Sequence, residues 1–226
     1  MHIGVLYAME KEAAGLLKAL GGGEKRTVSG VPVYECAPGL VICVGGVGKV
    51  NAALAAQLLL DRFGVERIFN AGCAGALADL PTGPLVLGTE CVQHDVDTTL
   101  AGDPPGFVST VERVTFPCAE PLETLTLLAN MGWACTPGVV ATGDWFGRDF
   151  GRAAAIRRAY GALVCDMEAC AAAQVCLRAG VPFQTLKVVS DHLFSDRQNA
   201  EYAGNFEDAM ACLDGAVKTY LELMED

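Results

Sequence analysis

Carboxylates recur in one kind of place along this chain, just past a short apolar run. Asp191 follows Lys187-Val188-Val189-Ser190, and Asp166 and Glu168, with Met167 between them, follow residues 162–165. Asp144 follows residues 138–142, and His94-Asp95 follow residues 84–93. Glu10 and Glu12 come soon after residues 2–7, and glycine-rich segments at 45–48 and 72–75 follow residues 40–44 and 66–70. If those runs are parallel strands, their carboxyl ends share one edge, which is where open α/β sheets bind ligands. Several carboxylates and two glycine loops then meet at one rim, a placement that points to a small-molecule site.

Each of these residues also has a plainer use. Ser190 and Asp191 are good caps for the turn that follows a strand. Glu12 shares a helix with Glu10 and Lys11 and reads as part of a solvated face. Glu168 in a first helical turn suits the helix dipole. Its flanks are apolar, however, so burying it costs several kcal/mol unless it is paired or bonded to ligand hydroxyls. Glycines after strands make tight turns, and they also let backbone N–H groups approach a ligand.

Three better-known sites are excluded. CVGGVGKV has Cys43 where a phosphate-binding loop needs glycine and Val50 where it needs Ser or Thr. Residues 72–75 lack the leading glycine of a dinucleotide fingerprint, and no GxSxG elbow occurs. His2, His94 and His192 are too scattered for a zinc centre, so no metal is expected.

The elements that must position these residues follow from pattern. Strands are expected at 2–7, 40–44, 66–70, 84–93, 138–142, 162–166 and 183–190, with a hairpin over 25–36 around Ser29-Gly30 and an edge strand at 109–116. Helices are expected at 8–20, 49–63, 119–131, 148–159, 167–180 and 200–224, and an exposed loop at 94–107. Alternating strands and helices imply an α/β fold: a single domain over residues 1–226, with a mixed, mainly parallel twisted sheet flanked by helices.

Bulk properties agree. A hydrophobic fraction of 52% supports a sizeable core. A net charge of −11 without any basic run argues against nucleic acid or an anionic membrane surface as partner. No apolar stretch reaches the roughly eighteen residues of a membrane span. The ten cysteines form no CxxC pair and several lie in apolar runs, so they read as small buried hydrophobes in a reducing cytoplasm.

Taken in order, AMEKEA, GGVGKVNAA, NAGCAGAL, QHDVDTT, TGDWF, CDMEACAAAQVC and VSDH resemble the purine nucleoside phosphorylase superfamily. Together they most resemble its 5′-methylthioadenosine/S-adenosylhomocysteine nucleosidases, over nearly the whole chain. The resemblance implies a nucleoside phosphorylase-like fold and hydrolysis of the N-glycosidic bond of an adenine nucleoside, releasing adenine and a 5-thioribose. Carried over by motif, Asp191 is the acid that protonates adenine N7 and Glu12 the base that activates water. Glu168 and Met167 hold the ribose, Met9 lies beside it, Phe146 stacks on adenine with Gly147 next to it, and Gly75 and Ser190 adjoin the base. No metal or organic cofactor is implied. A homodimer is implied, with the 50–63 helix and the 94–107 loop at its interface.

Four positions depart from the family pattern: Asp166 stands for a usual Glu, Cys73 for a Ser near the water site, and Lys187 for an Arg. Ala101 falls near the aromatic residue that a partner subunit lends to the 5′ pocket. Three other readings stay open. A phosphate-dependent phosphorylase is one, although its hexameric members place an Arg where this chain has Asn70. A nucleosidase for another adenine nucleoside, such as a futalosine-like compound, is the second. A nucleoside-binding module is the third, and it has no use for Glu12 and Asp191.

Overall fold

A computed structural model of the chain describes residues 1–225. Ten strands and six helices follow one another as β1 (Ile3–Tyr7), α1 (Glu10–Ala19), β2 (Glu24–Val28), β3 (Val31–Ala37), β4 (Leu40–Val44), α2 (Lys49–Phe63), β5 (Arg67–Ala76), β6 (Leu85–Gln93), β7 (Thr115–Pro117), α3 (Pro121–Asn130), β8 (Cys135–Thr142), α4 (Phe150–Tyr160), β9 (Val164–Asp166), α5 (Ala169–Ala179), β10 (Phe183–His192) and α6 (Gln198–Glu225). All belong to a single α/β domain built on one mixed sheet.

The long ladders β5–β10 and β6–β8 are parallel, as are β1–β4, β1–β5 and β8–β9. The β2–β3 hairpin, β7 and the contacts of β10 with β6 and of β5 with β9 are antiparallel. Because β10 pairs with both β5 and β6, the strands β5, β9, β8, β6 and β10 close into a ring. Strand alternation divides the core. Leu6, Cys43 and Ile68 face α2 and α5, whereas Val5, Tyr7, Ile42 and Phe69 face α1 and α6. Besides Leu58 and Leu59 of α2, the buried residues of α2 and α5 are Ala and Cys, small side chains that let two helices lie close together over the sheet. The cysteines there are free thiols.

The hairpin turns at Ser29 and Gly30, both in the left-handed region that two-residue hairpins favour. Two expectations need correction. Residues 71–75 are not a loop: β5 runs on to Ala76, and Gly72 and Gly75 pair in register with Lys187 and Asp191 of β10. Neither glycine has a positive φ, so they serve close packing and not a turn. The edge strand expected at 109–116 shrinks to Thr115–Pro117, because a Val108–Arg113 bridge with Glu112 in the left-handed region turns the chain back before it.

Candidate active site

Glu12 lies in the first turn of α1, where its type suits the helix dipole, but it does not lie on a solvated face. It is 3% exposed, while Glu10 stays outside with Lys25 and Tyr34. One Glu12 oxygen accepts the backbone N–H of Met9 at 3.1 Å and the other accepts that of Cys73 at 3.1 Å, tying α1 to the extended end of β5. Gly72 makes this possible, since a Cβ there would sit 3.1 Å from the Glu12 carboxylate. Burial raises the Glu12 carboxyl above its ordinary value, and the two N–H donors and nearby Lys187 hold the rise in check.

Asp191 is the penultimate residue of β10, just past a register shift that follows Val189. One of its oxygens accepts Ser190 Oγ at 2.6 Å and the other Gln198 Nε2 at 2.9 Å. Burial still outweighs these bonds and raises its pKa. The plainer use as a turn cap therefore fails, because both donors are side chains. Gly75 gives the carboxylate room: a Cβ there would lie 3.0 Å from an Asp191 oxygen and 2.4 Å from Leu193.

Glu168 is not in the first turn of α5 but at its N-cap, and its carboxylate reaches across to accept the Gly48 N–H at 2.8 Å. The glycine loop at 45–48 thus spends a backbone donor on a carboxylate of the chain itself. Burial, and then Asp166, push the Glu168 carboxyl up to about 7. Asp166 is occupied by Thr142 Oγ1 at 2.5 Å, the Ala169 N–H at 2.9 Å and Lys187 Nζ at 2.8 Å. Burial alone would depress the Lys187 ammonium, but Asp166 and Glu168 outweigh it and raise its pKa.

These groups surround one cavity of about 360 Å³. Met9, Glu12, Cys73, Gly75, Phe146, Met167, Glu168, Ser190 and Asp191 all line it. Lys187 and Gly147 do not. Lys187 is sealed beneath the floor by its pairing in β10, and Gly147 lies where a side chain would strike the Trp145 indole. Burial pushes the Cys73 thiol up to about 12, so it stays protonated.

Other rim residues expected from strand ends go elsewhere. Asp95 pairs with Lys49 at 2.6 Å, and Asp144 accepts the Lys49 N–H at the start of α2. His94 sits 3.5 Å from Cys165. Asn70 is buried, donating to Leu6 O and accepting from Thr185, and does not reach the cavity wall. His192 neither orients Asp191 nor faces open solvent: its nitrogens meet Glu201 and the Leu80 carbonyl. Ala101 lies in an exposed turn away from the cavity of its own chain. Among the described residues no group of three His, Cys, Asp or Glu side chains could hold a metal ion.

Sequence reasoning missed Val47, Trp145, Tyr202 and the Gln198 partner of Asp191. A signal existed for two of them. Gln198, Tyr202 and Phe206 follow one another at four-residue spacing, one stripe of α6 directed at the end of β10.

Residues 2–222 match the model of a family described as the phosphorylase superfamily. A protein of Shewanella putrefaciens named 5′-methylthioadenosine/S-adenosylhomocysteine nucleosidase is 32% identical, with 87% of this chain and 88% of the relative covered. One of the same name from Bacillus thuringiensis is 35% identical, with 84% and 86% covered. Among solved structures, Helicobacter pylori 5′-methylthioadenosine/S-adenosylhomocysteine nucleosidase bound to a thiomethyl-pyrrolidine inhibitor superposes with a TM-score of 0.92 at 25% identity, covering 98% of each chain. A structure named futalosine hydrolase of Helicobacter pylori gives 0.92 at 25% identity, covering 98% of this chain and 97% of that one.

Proposed function

We propose a substrate and a division of labour for this chain, which belongs to the phosphorylase superfamily and, within it, to the 5′-methylthioadenosine/S-adenosylhomocysteine nucleosidase family of N-glycosidic bond hydrolases. It cleaves 5′-methylthioadenosine, S-adenosylhomocysteine or both, releasing adenine and the 5-thioribose product, a reaction that serves methionine salvage. The observation that carries this is the convergence of Glu12, Glu168 and Asp191 on one cavity, each held by different donors.

Water adds to the anomeric carbon as the bond to adenine breaks, and the bonding electrons leave with the base. Asp191, whose carboxyl burial raises above its ordinary value, gives its proton to adenine N7. Glu12 takes a proton from the attacking water, so one carboxyl ends charged and the other neutral. Ser190 suits this exchange, because its hydroxyl donates to ionised Asp191 and has the Ala74 carbonyl at 3.5 Å as a second acceptor. Glu168 accepts the ribose hydroxyls, and the carboxylates stabilise positive charge developing on the sugar. Phe146 offers its half-exposed face to the base, braced edge-on by Tyr202.

The same charge pattern favours water over phosphate. Four carboxylates line the cavity, and the nearby Lys187 ammonium is already paired with Asp166. A phosphate dianion would face repulsion, with no Lys or Arg among the described residues that line the cavity. Futalosine-type nucleosides remain a second substrate reading, favoured by the equal superposition on the Helicobacter protein of that name.

The protein acts as a cytoplasmic homodimer in this proposal. Val47 lines the cavity and is 44% exposed, and Val50 and Leu54 of α2 and Leu100 of the 94–107 segment are exposed apolar side chains as well. A second copy packed there would close the cavity mouth. None of the helices is long and apolar enough to cross a membrane, among the described residues.

The test is adenine release from methylthioadenosine with and without inorganic phosphate. Release without phosphate, reduced about 10²–10⁴-fold in Asp191→Asn, is the expected result. Strict dependence on phosphate would overturn the proposal.

A further inference from the structure

Three successive residues at the end of β10 are each tied to α6. The Ser190 carbonyl accepts Asn205 Nδ2 at 3.0 Å, Asp191 accepts Gln198 Nε2 at 2.9 Å, and His192 meets Glu201. Gln198, Glu201 and Asn205 stand three and four residues apart, so one face of α6 carries all three. That face serves the site: Gln198 holds the acid, and Tyr202, next to Glu201, lines the cavity. Of the three ties, only the one at His192 joins two titratable side chains. One Glu201 oxygen accepts the His192 backbone N–H at 3.1 Å and lies 2.9 Å from ring Nδ1, and the other accepts Ser195 Oγ at 2.5 Å. Ring Nε2 lies 2.6 Å from the Leu80 carbonyl, in the segment after β5.

A neutral imidazole has one N–H and one lone pair. Both nitrogens of His192 face oxygen acceptors, so only the imidazolium satisfies them. The charged groups acting on it are Glu201 of α6 and Asp191 of its own strand, and the segment after β5 presents the Leu80 carbonyl. Burial alone would depress the imidazole, but its bonds to Glu201 and Leu80, with the two carboxylates, outweigh that and raise its pKa. We propose that His192 is a positioning residue for the nucleosidase reaction: as an imidazolium it latches the start of α6 to the end of β10 and to the segment after β5, and so keeps Gln198 on Asp191 and Tyr202 on the cavity wall. His192 does not line the cavity and acts through α6. As pH rises through its raised pKa the proton is lost, a lone pair faces one acceptor, and the latch weakens. The inference rests on the proposed nucleosidase function.

Two measurements on the full-length protein test this. The first is an NMR titration of the histidine rings, with the His192 signal assigned by its loss in His192→Gln. It should titrate above the ordinary value of about 6.5, and lower in Glu201→Gln than in the parent. The second is kcat/KM for methylthioadenosine against pH in the parent, His192→Gln and Glu201→Gln. Each variant should lose about fivefold on the acid side of the His192 titration, the effect of one partly screened ion pair. The loss should shrink as pH rises and the parent itself gives up the imidazolium. A His192 ring that titrates at or below the ordinary value overturns the latch, and that reading needs no variant to fold. Losses equal at every pH reflect packing alone and also overturn it, while leaving the nucleosidase function intact. A full-length protein that cleaves no adenine nucleoside overturns that function and the positioning role with it, and the ring titration, which needs no substrate, tells the two failures apart.

Discussion

Replacing Lys187 by Met should destabilise the protein by stranding a buried carboxylate. Lys187 is 1% exposed and its Nζ lies 2.8 Å from an Asp166 oxygen that is itself fully buried. Removing one partner of such a pair typically costs about 3–5 kcal/mol, because the remaining charge has no counter-ion and no water. Met fills most of the Lys stem, so the packing loss is small. Asp166 keeps the Thr142 hydroxyl and the Ala169 N–H, which places the expected cost near the low end, about 3 kcal/mol at pH 7.5. Urea unfolding at pH 7.5 measures it, and Lys187→Met/Asp166→Asn should recover much of the loss. A loss below about 1 kcal/mol, or no recovery in the double variant, would refute charge compensation as the role of Lys187.

The kcat/KM profile should be a bell, falling at low pH as Glu12 gains its proton and at high pH as Asp191 loses its own. Burial raises both groups, so Glu12→Gln should lower the rate throughout and abolish the acid limb. Gly75→Ala should reduce kcat with little loss of fold, since its Cβ pushes on Leu193 and on the Asp191 carboxylate; unchanged kcat in a folded variant would contradict the close packing described. Burial raises Asp214, which accepts the Tyr7 hydroxyl, to about 6 from 3.8. Its ionisation should therefore cost stability as pH rises from about 4 to about 6, up to about 3 kcal/mol by linkage. Comparison of chemical unfolding of Asp214→Asn with the parent should show that slope lost in the variant.

Local pattern was enough for most elements. The 49–63 helix and the 40–44 strand were legible because each has one period and clear stops, a positive-φ glycine in both loops that flank the helix. Chain order also placed Asp191, Asp166 and Glu168 at strand ends, since an apolar run must stop where a carboxylate stands. The 71–75 segment misled because small residues and glycines imitate a turn. Only pairing with β10 on one side and β9 on the other makes that segment strand, and those partners lie far away in sequence. Glu12 misled in the opposite sense: flanked by Glu10 and Lys11, it carries no local mark of burial.

The sequence by itself determined which carboxylates exist, which strands deliver them and which family motifs they fall in. Tertiary structure alone decided which carboxylates share a cavity, and that Asp95 and Asp144 are instead spent on Lys49 and the start of α2. It also decided protonation. A carboxylate's pKa is set by the water it loses and the donors it gains. For Glu12 those donors come from Met9 and Cys73, for Glu168 from Gly48, and for Asp191 from Ser190 and Gln198. Two of these five, Cys73 to Glu12 and Gly48 to Glu168, are long-range contacts, which composition and periodicity do not encode.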